Sequence, residues 1–292
     1  MGVVLGDNRY GKAEIRLLRV TRHGERHEIR DLTVGVALSG DFQAVHLRGD
    51  NASVLPTDSQ KNAVYALAAE APVGEIEDFG LRLANHFLAA AGAVTRAAVR
   101  VEEEGWERIP LQGAPHPHAF RRAGGERRLA VVTCRAGEAA VVSGIEDLVL
   151  LKSTGSEFHG FARDRYTTLA ETRDRVLATA VSARWRHRAI TGGWDAGFAT
   201  ARRALVETFA GHHSLSLQQT LYEMGRALIQ ARPEVDEVRL SLPNRHHLAI
   251  DLAPFGLPDA GEVLLPADRP YGLIEGTICR EAAPPGPAWA AW

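Results

Sequence analysis

The chain has 292 residues, of which 45% are hydrophobic and 24% are charged, and its formal net charge at pH 7 is −2. These values are ordinary for a soluble globular protein of about two domains. A net charge close to zero gives no electrostatic basis for binding nucleic acid or an anionic membrane. No apolar stretch approaches the ~18 residues that would predict a membrane-spanning helix.

The cysteines and the N-terminal segment indicate the compartment. Cys134 and Cys279 lie far apart in alternating apolar surroundings, so we expect buried thiols in a reducing compartment and no disulfide framework. The N-terminal segment lacks the basic start and apolar run of a signal peptide, and Gly6 stands where a myristoylation signal requires Ser or Thr. We therefore expect a cytoplasmic protein without a membrane anchor.

Hydrophobic periodicity predicts the same series of elements twice. Alternation of apolar and polar residues predicts strands, and apolar residues three and four positions apart predict helices. In the first half, strands are predicted at 15–17, 32–38 and 99–101 and around Val131 and Val141, with helices at 64–71 and 76–87. In the second half, strands are predicted at 148–151, 181–185, 238–242 and 248–252, with helices at 198–209 and 221–228.

This repetition predicts an α+β protein with two tandem domains. Each domain has the order ββααββ, with an antiparallel sheet and helices on one face. We expect the first domain at 1–143 and the second at 144–280. A Pro-rich C-terminal segment, 281–292, is expected to be flexible.

Two helix starts carry capping-box patterns, in which the N-cap side chain and the side chain three residues later bind each other's backbone N–H groups. The pairs are Thr57 with Gln60 and Ser216 with Gln219. Asp58 and Gln218 then fall in first turns, where free N–H groups and the helix dipole favour an anion. Taken alone, these residues are ordinary helix caps.

The stretch VTRHGERHEI (20–29) contains the Arg-His-Gly-x-Arg pattern with which histidine phosphatases present a nucleophilic imidazole. Such an enzyme also needs a helix after the loop and a distant His-Asp pair. Here a strand pattern follows, and the chain contains no His-Asp dipeptide. We therefore interpret His23 as part of a hairpin tip.

Two histidine pairs have structural interpretations. His116 and His118 in PHPHAF (115–120) supply only half of a metal site, so this segment is predicted to be a structural loop or a loop at a subunit contact. His212 and His213 follow a predicted helix, where positive charge complements the helix dipole.

Five ordered blocks of sequence share a pattern that a lone short motif would not establish. The blocks are YGK (10–12), LPTDSQKN (55–62), LLKSTGSEFHGFARDRYTTLAETRDR (150–175), SLQQTLY (216–222) and SLPNRHHLAIDL (241–252). Their order and spacing resemble those of the urate oxidase (uricase) family from about Tyr10 to Arg280.

The resemblance implies a fold, an assembly and a reaction. The fold is the tunnelling fold (T-fold) with two copies per subunit, and the assembly is a homotetramer with active sites at subunit interfaces. The reaction is the oxidation of urate by O2 to 5-hydroxyisourate and hydrogen peroxide, a step of purine degradation. It implies no metal and no organic cofactor.

The resemblance also implies which residues bind urate. Arg175 would offer its planar guanidinium to one edge of the anionic purine, and Gln218 would offer a donor and an acceptor to the other. Phe158 would stack on the ring. Asp58 and Leu217 would contact the substrate through their backbone; Leu217 replaces the family's usual Val.

Lys12, Thr57 and His246 match the proton-relay triad of the family. A lysine amine must be desolvated to act as a base near neutral pH, and the Thr57 hydroxyl could then pass on a proton from urate. Asn244 and Thr57 would hold O2 or water above the ring. His247 stands where an aromatic residue is common in the family.

Two alternatives remain open. A zinc-dependent T-fold relative acting on pterins would need three converging histidines. A purine-binding relative that has lost catalysis is the non-enzymatic alternative, and the presence of Lys12, Thr57 and His246 argues against it.

Overall fold

The computed structural model describes residues 2–258 and 261–286. Within them the chain forms eight strands and five α-helices. The strands are β1 (Tyr10–His23), β2 (Arg26–Gly40), β3 (Val94–Leu111), β4 (Ala114–Arg135), β5 (Glu138–Lys152), β6 (Leu177–His187), β7 (Val235–Ala249) and β8 (Leu264–Cys279). The helices are α1 (Gln43–Arg48), α2 (Thr57–Glu70), α3 (Ile76–Ala90), α4 (Trp194–Gly211) and α5 (Leu217–Ala231).

The order of these elements agrees with the α+β prediction. Two strands, three helices and two strands are followed by two strands, two helices and two strands, so each half is ββααββ with the short α1 added in the first. One expectation was wrong in detail. The apolar runs at Val141 and at 148–151, which we placed in different domains, belong to the single strand β5.

The described residues form two compact units. The first comprises 2–144, 185–196 and 284–286, and the second comprises 145–184 and the described part of 197–283. Only the first residues of the expected C-terminal tail, 281–286, are described, and the rest of that prediction lies outside the described residues.

In the first unit, β1 to β4 pair antiparallel in chain order. Alternate residues of β2 from Leu32 to Leu38 are buried, and α3 packs on β3 and β4 through its apolar stripe, which includes Phe79, Leu83 and Phe87. Deleting one such buried ring would cost about 3–5 kcal/mol, because a cavity remains behind. The α2 helix packs near β1, which positions the start of α2 beside that strand.

In the second unit, β7 and β8 pair antiparallel, and α5 packs on both. The buried face of α5 includes Leu221, Met224 and Leu228. Gly225 lies so close to β8 that a Cβ atom there would come within 2.6 Å of Ile278 Cδ1. A side chain at this position would therefore force Ile278 to shift.

Three local predictions meet the structure differently. RHGER is a hairpin tip, as predicted, since Gly24 and Glu25 join β1 to β2 and His23 pairs with Arg26. PHPHAF is not a loop, because its residues lie within β4. Cys134 is buried as expected, but Cys279 is exposed at the end of β8.

Candidate active site

Lys12 and the residues before it are held by close contacts within the first unit. Gly11 passes so near β2 that a Cβ atom would lie 1.8 Å from the Val36 carbonyl oxygen, so only glycine fits. The hydroxyl of Tyr10 accepts a hydrogen bond of 3.0 Å from the Leu55 backbone N–H, two residues before Thr57. This bond ties the start of β1 to the segment that enters α2. Lys12 is half-buried and lines a cavity of about 470 Å³.

The start of α2 differs from the expected capping box. The N-cap residue is Pro56, and the helix begins at Thr57, one residue earlier than the expected capping box requires. The fixed φ of proline is compatible with the N-cap position. No side chain caps this helix, and the Gln60 amide donates instead to the Leu55 carbonyl at 3.2 Å. First-turn N–H groups of Thr57 and Asp58 therefore have no side-chain cap, as at helix ends that bind anions.

The side chain of Asp58 is occupied by its own helix. Lys61 donates a 2.6 Å hydrogen bond to its carboxylate, and Asn62 donates another at 3.1 Å. The bond from Lys61 is the main reason that the pKa of Asp58 is lowered, and the positive charge of Lys12 acts in the same direction. Lys12 is therefore within electrostatic range of the start of α2.

In the second unit, the loop 153–176 brings Phe158 and Arg175 together. Phe158 and Thr172 exchange two backbone hydrogen bonds of 2.9 and 3.0 Å, and the Arg175 N–H donates to the Ser156 carbonyl at 2.9 Å. As a result, Arg175 Cζ lies 5.2 Å from the centroid of the Phe158 ring. The ring of Phe161 also stacks on the Phe158 ring, with 5.0 Å between centroids.

Arg175 is the clearest binding group of this loop. Its Nε is buried and has no hydrogen-bond partner among the described residues. Burial lowers the pKa of the guanidinium, although arginine remains charged. A buried N–H donor without a partner is costly and calls for an explanation, and an acceptor supplied by a ligand is one such explanation.

The start of α5 forms only the Ser216 half of the predicted capping box. The Ser216 hydroxyl accepts a hydrogen bond of 3.1 Å from the Gln219 N–H, whereas the Gln219 side chain accepts from the Leu215 N–H at 3.0 Å. This cap serves the third helical residue and leaves the N–H groups of Leu217 and Gln218 without a side-chain cap. The Leu217 side chain is buried and that of Gln218 is exposed.

Asn244 and His246 lie on β7 at an irregularity in its pairing with β8. Asn244 pairs with Gly272, whereas His246 pairs with Ala267, so the register shifts between them. Both side chains are half-buried. His246 and His247 line a cavity of about 210 Å³.

The nine expected site residues are thus divided between the two units. Lys12, Thr57 and Asp58 lie in the first unit, and Phe158, Arg175, Leu217, Gln218, Asn244 and His246 lie in the second. Within the described residues, no side-chain hydrogen bond involves Lys12, Thr57, Gln218, Asn244 or His246.

The described part of the chain contains neither a cluster of potential metal ligands nor a membrane-spanning helix. No group of three or more His, Cys, Asp or Glu side chains there could hold a metal ion. Among the same residues, no helix is both long and apolar enough to cross a membrane.

Three polar residues beside the site were missed. Glu157 lies between the imidazoles of His159 and His213, with oxygen–nitrogen distances of 2.8 and 2.6 Å. From the sequence, His213 is expected only to place positive charge at a helix end. No sequence signal joins it to Glu157, because 56 positions separate them.

Comparisons with known proteins point to one family. The family model described as Uricase matches residues 8–133 and 141–275. The uricase of Arthrobacter globiformis is 54% identical over 281 residues, which are 96% of this chain and 91% of that protein. The uricase of Danio rerio is 38% identical over 278 residues, which are 93% of each protein.

Solved structures agree with the sequence comparisons. The crystal structure of the Arthrobacter globiformis uricase matches with a TM-score of 0.94 at 52% identity and covers 99% of both chains. A hyperthermostable mutant of the urate oxidase of Bacillus sp. TB-90 matches with a TM-score of 0.81, covering 94% of this chain and 99% of that one. At 24% identity, the second match supports the fold alone.

Proposed function

Because the chain belongs to the uricase family, we propose that it is an oxidoreductase that oxidises urate with O2 to 5-hydroxyisourate and hydrogen peroxide. The observation that carries this proposal is the placement of Arg175 beside Phe158, with a buried N–H donor that has no partner among the described residues. An aromatic ring beside a planar cation suits a flat, anionic heterocycle such as urate.

The proposed binding mode uses both edges of the purine. Arg175 donates to one edge through its planar fork, and the amide of Gln218 donates and accepts at the other. Phe158 stacks on the ring. Backbone N–H groups of Asp58 and Leu217, which no side chain caps, bind the remaining oxygen and nitrogen atoms.

The proposed chemistry is proton removal followed by electron transfer. Lys12 acts as the base through the Thr57 hydroxyl, and His246 completes the relay. The urate dianion gives two electrons to O2, which takes up two protons and leaves as hydrogen peroxide. A water molecule held by Asn244 and Thr57 then adds to the oxidised purine, giving 5-hydroxyisourate. Because the electron-rich dianion reduces O2 directly, the reaction needs no metal and no organic cofactor.

The proposed assembly explains why the expected site residues are divided. We infer two tandem T-fold domains per chain, at 1–143 and 144–280, and a homotetramer in which each active site lies at an interface between subunits. Lys12 and Thr57 of one subunit then meet Arg175 and Gln218 of another. We place the enzyme in the cytoplasm, consistent with two free thiols and no disulfide.

One assay tests the proposal. The purified protein is treated exhaustively with a chelator, checked for metals by elemental analysis, and incubated with urate while the ultraviolet band of urate and the formation of peroxide are followed. We expect full turnover without a stoichiometric metal. Activity that is lost on chelation and restored by zinc or copper would support a metal-dependent relative, and urate binding without turnover would support a relative that has lost catalysis.

A further inference from the structure

Glu157, the residue before Phe158, makes two hydrogen bonds that the proposed mechanism does not use. Its carboxylate oxygens bind two different imidazoles: Oε1 lies 2.6 Å from His213 Nε2, and Oε2 lies 2.8 Å from His159 Nε2. The Glu157 side chain is only 16% exposed, although the two histidines are 56% and 33% exposed. The carboxylate is thus more buried than either imidazole that it binds.

The backbone connects the same two segments. The Glu157 N–H donates to the Ser214 carbonyl at 2.7 Å, and the Ser214 N–H donates to the Gly155 carbonyl at 3.0 Å. The Ser214 hydroxyl in turn accepts a 2.7 Å bond from Thr220, in the first turns of α5. Gly155 and Glu157, which precede Phe158, are therefore joined to the segment that leads directly into Leu217 and Gln218.

The loop has little regular structure to hold its shape. Residues 153–176 contain only isolated bridges, and loops of more than ~12–15 residues without secondary structure are usually functional or disordered, so tertiary bonds must hold this one in place. The bonds made by Asp174, to Thr154 at 2.7 Å and to the Gly155 N–H at 3.0 Å, tie the loop only to itself. Among the side-chain hydrogen bonds of Glu157, Asp174 and Asp164, only the bond to His213 reaches the start of α5.

Electrostatics keep this connection in place. The hydrogen bond from His213 is the main reason that the pKa of Glu157 is lowered, and the bond from His159 acts in the same direction. A carboxylate that stays ionised accepts both bonds at once, whereas its neutral form would lose acceptor capacity. Hydrogen bonds to a charged group are also shorter and stronger than neutral ones.

We propose that Glu157 is a positioning residue for urate oxidation: together with His213 it holds Phe158 and Arg175 at the distance from Gln218 that fits urate. The inference rests on the proposed function and deepens it. Glu157 does not touch the substrate. It acts through the residues that do, since substrate-holding groups must stay within about 0.5 Å of the productive geometry.

The test compares KM with kcat in matched variants. Glu157→Gln keeps the shape of the side chain but can accept a hydrogen bond through one oxygen only. We expect KM for urate to rise about tenfold with kcat changed by less than about threefold, the pattern for lost binding that is equal in ground and transition states. Glu171→Gln is the control, because Glu171 lies in the same loop in an exposed pair with Arg163. It should leave both constants within about twofold of wild type.

Variants of His213 separate positioning from a merely structural role. His213→Ala removes the donor and should raise KM as Glu157→Gln does, whereas His213→Gln keeps an N–H donor and should retain most of the binding. The Glu157→Gln/His213→Ala double variant should be no worse than the stronger single variant, because both changes remove one interaction.

Several results would overturn the inference. If KM stayed within about twofold of wild type in Glu157→Gln and His213→Ala while wild type oxidised urate, Glu157 would not position the site. The inference would also be contradicted if the KM increases of the two single variants multiplied in the double variant. A loss of active protein at unchanged KM would contradict it as well. Failure of wild type to oxidise urate would instead overturn the proposed function.

Discussion

At the scale of single residues, the chemistry depends on side chains that the fold leaves without partners. The Lys12 ammonium and the Arg175 Nε have no hydrogen bond within the described residues, although both groups are at least half-buried. Their neighbours are constrained much more tightly. Gly11 cannot carry a side chain, and Tyr10 is bonded to the segment before α2. Lys12 is thus held by the contacts of Gly11 and Tyr10 and not by a bond to its own ammonium group.

Replacing Lys12 with methionine tests its role as the base. The substitution keeps the length of the side chain and removes the amine, so kcat for urate should fall by about 10² to 10⁴, as is typical for a lost general base. Lys61→Met is the control, because Lys61 pairs with Asp58 at the surface of α2. Steady-state kinetics from pH 6 to 10 make the measurement. A Lys12→Met enzyme with nearly wild-type kcat throughout this range would show that the relay is assigned wrongly.

The two cysteines should differ sharply in reactivity. Burial raises the pKa of Cys134 to about 11, so at pH 8 only about 10⁻³ of this thiol is the reactive thiolate. Cys279 is exposed at the end of β8. A disulfide reagent should therefore label one thiol per native chain rapidly and both after denaturation, with Cys279→Ser abolishing the fast phase. Rapid labelling of Cys134 in the native protein would contradict its burial.

At the scale of elements, periodicity predicted most of what packs in the core. The stripe of α3 and the alternation of β2 were both visible because burial repeats every 3.6 or two residues. Specific contacts set by the three-dimensional geometry could not be predicted from periodicity. The N-cap of α2 is Pro56 and not the expected Thr57. The hydrogen bond between Glu157 and His213 joins residues 56 positions apart. Patterns of residue type carry no information on such pairings.

The close approach of α5 to β8 can be tested at Gly225. A Cβ atom there would come within 2.6 Å of Ile278 Cδ1 and 2.9 Å of Cγ1, so Gly225→Ala should overpack the core and cost about 1–3 kcal/mol of unfolding free energy. Gly211→Ala at the end of α4 is the matched control, because nothing lies within 4 Å of its Cβ position. It should be neutral or stabilise by up to ~1 kcal/mol. Thermal unfolding of the two variants is compared. A Tm for Gly225→Ala equal to that for Gly211→Ala would contradict the close packing of α5 on β8.

At the scale of the whole molecule, the expected site residues belong to two compact units of one chain. The ββααββ order of each half could be predicted from periodicity, and the family followed from five spaced blocks of sequence. The assembly could not be predicted in this way. Surfaces that join copies of a chain have no fixed spacing in sequence, so the shared active site rests on the resemblance to the family.

Mixing inactive chains tests whether active sites are shared between subunits. Lys12→Met chains and Arg175→Ala chains are each expected to be inactive. In a mixed two-fold pair, one site receives both lesions and the other receives neither. With random assembly about half of the pairs are mixed, so about a quarter of all sites should be intact. The two variants are refolded together and assayed for urate loss. No activity above that of the separate variants, with mixed oligomers shown by mass, would place each site within one chain.

The central claim is that this chain oxidises urate directly with O2. The most direct measurement follows urate loss, O2 uptake and peroxide formation together in metal-depleted protein. We predict that the three amounts are equal, and that Arg175→Ala lowers all three rates in parallel. Urate loss without matching O2 uptake and peroxide, or no urate loss at all, would contradict the account.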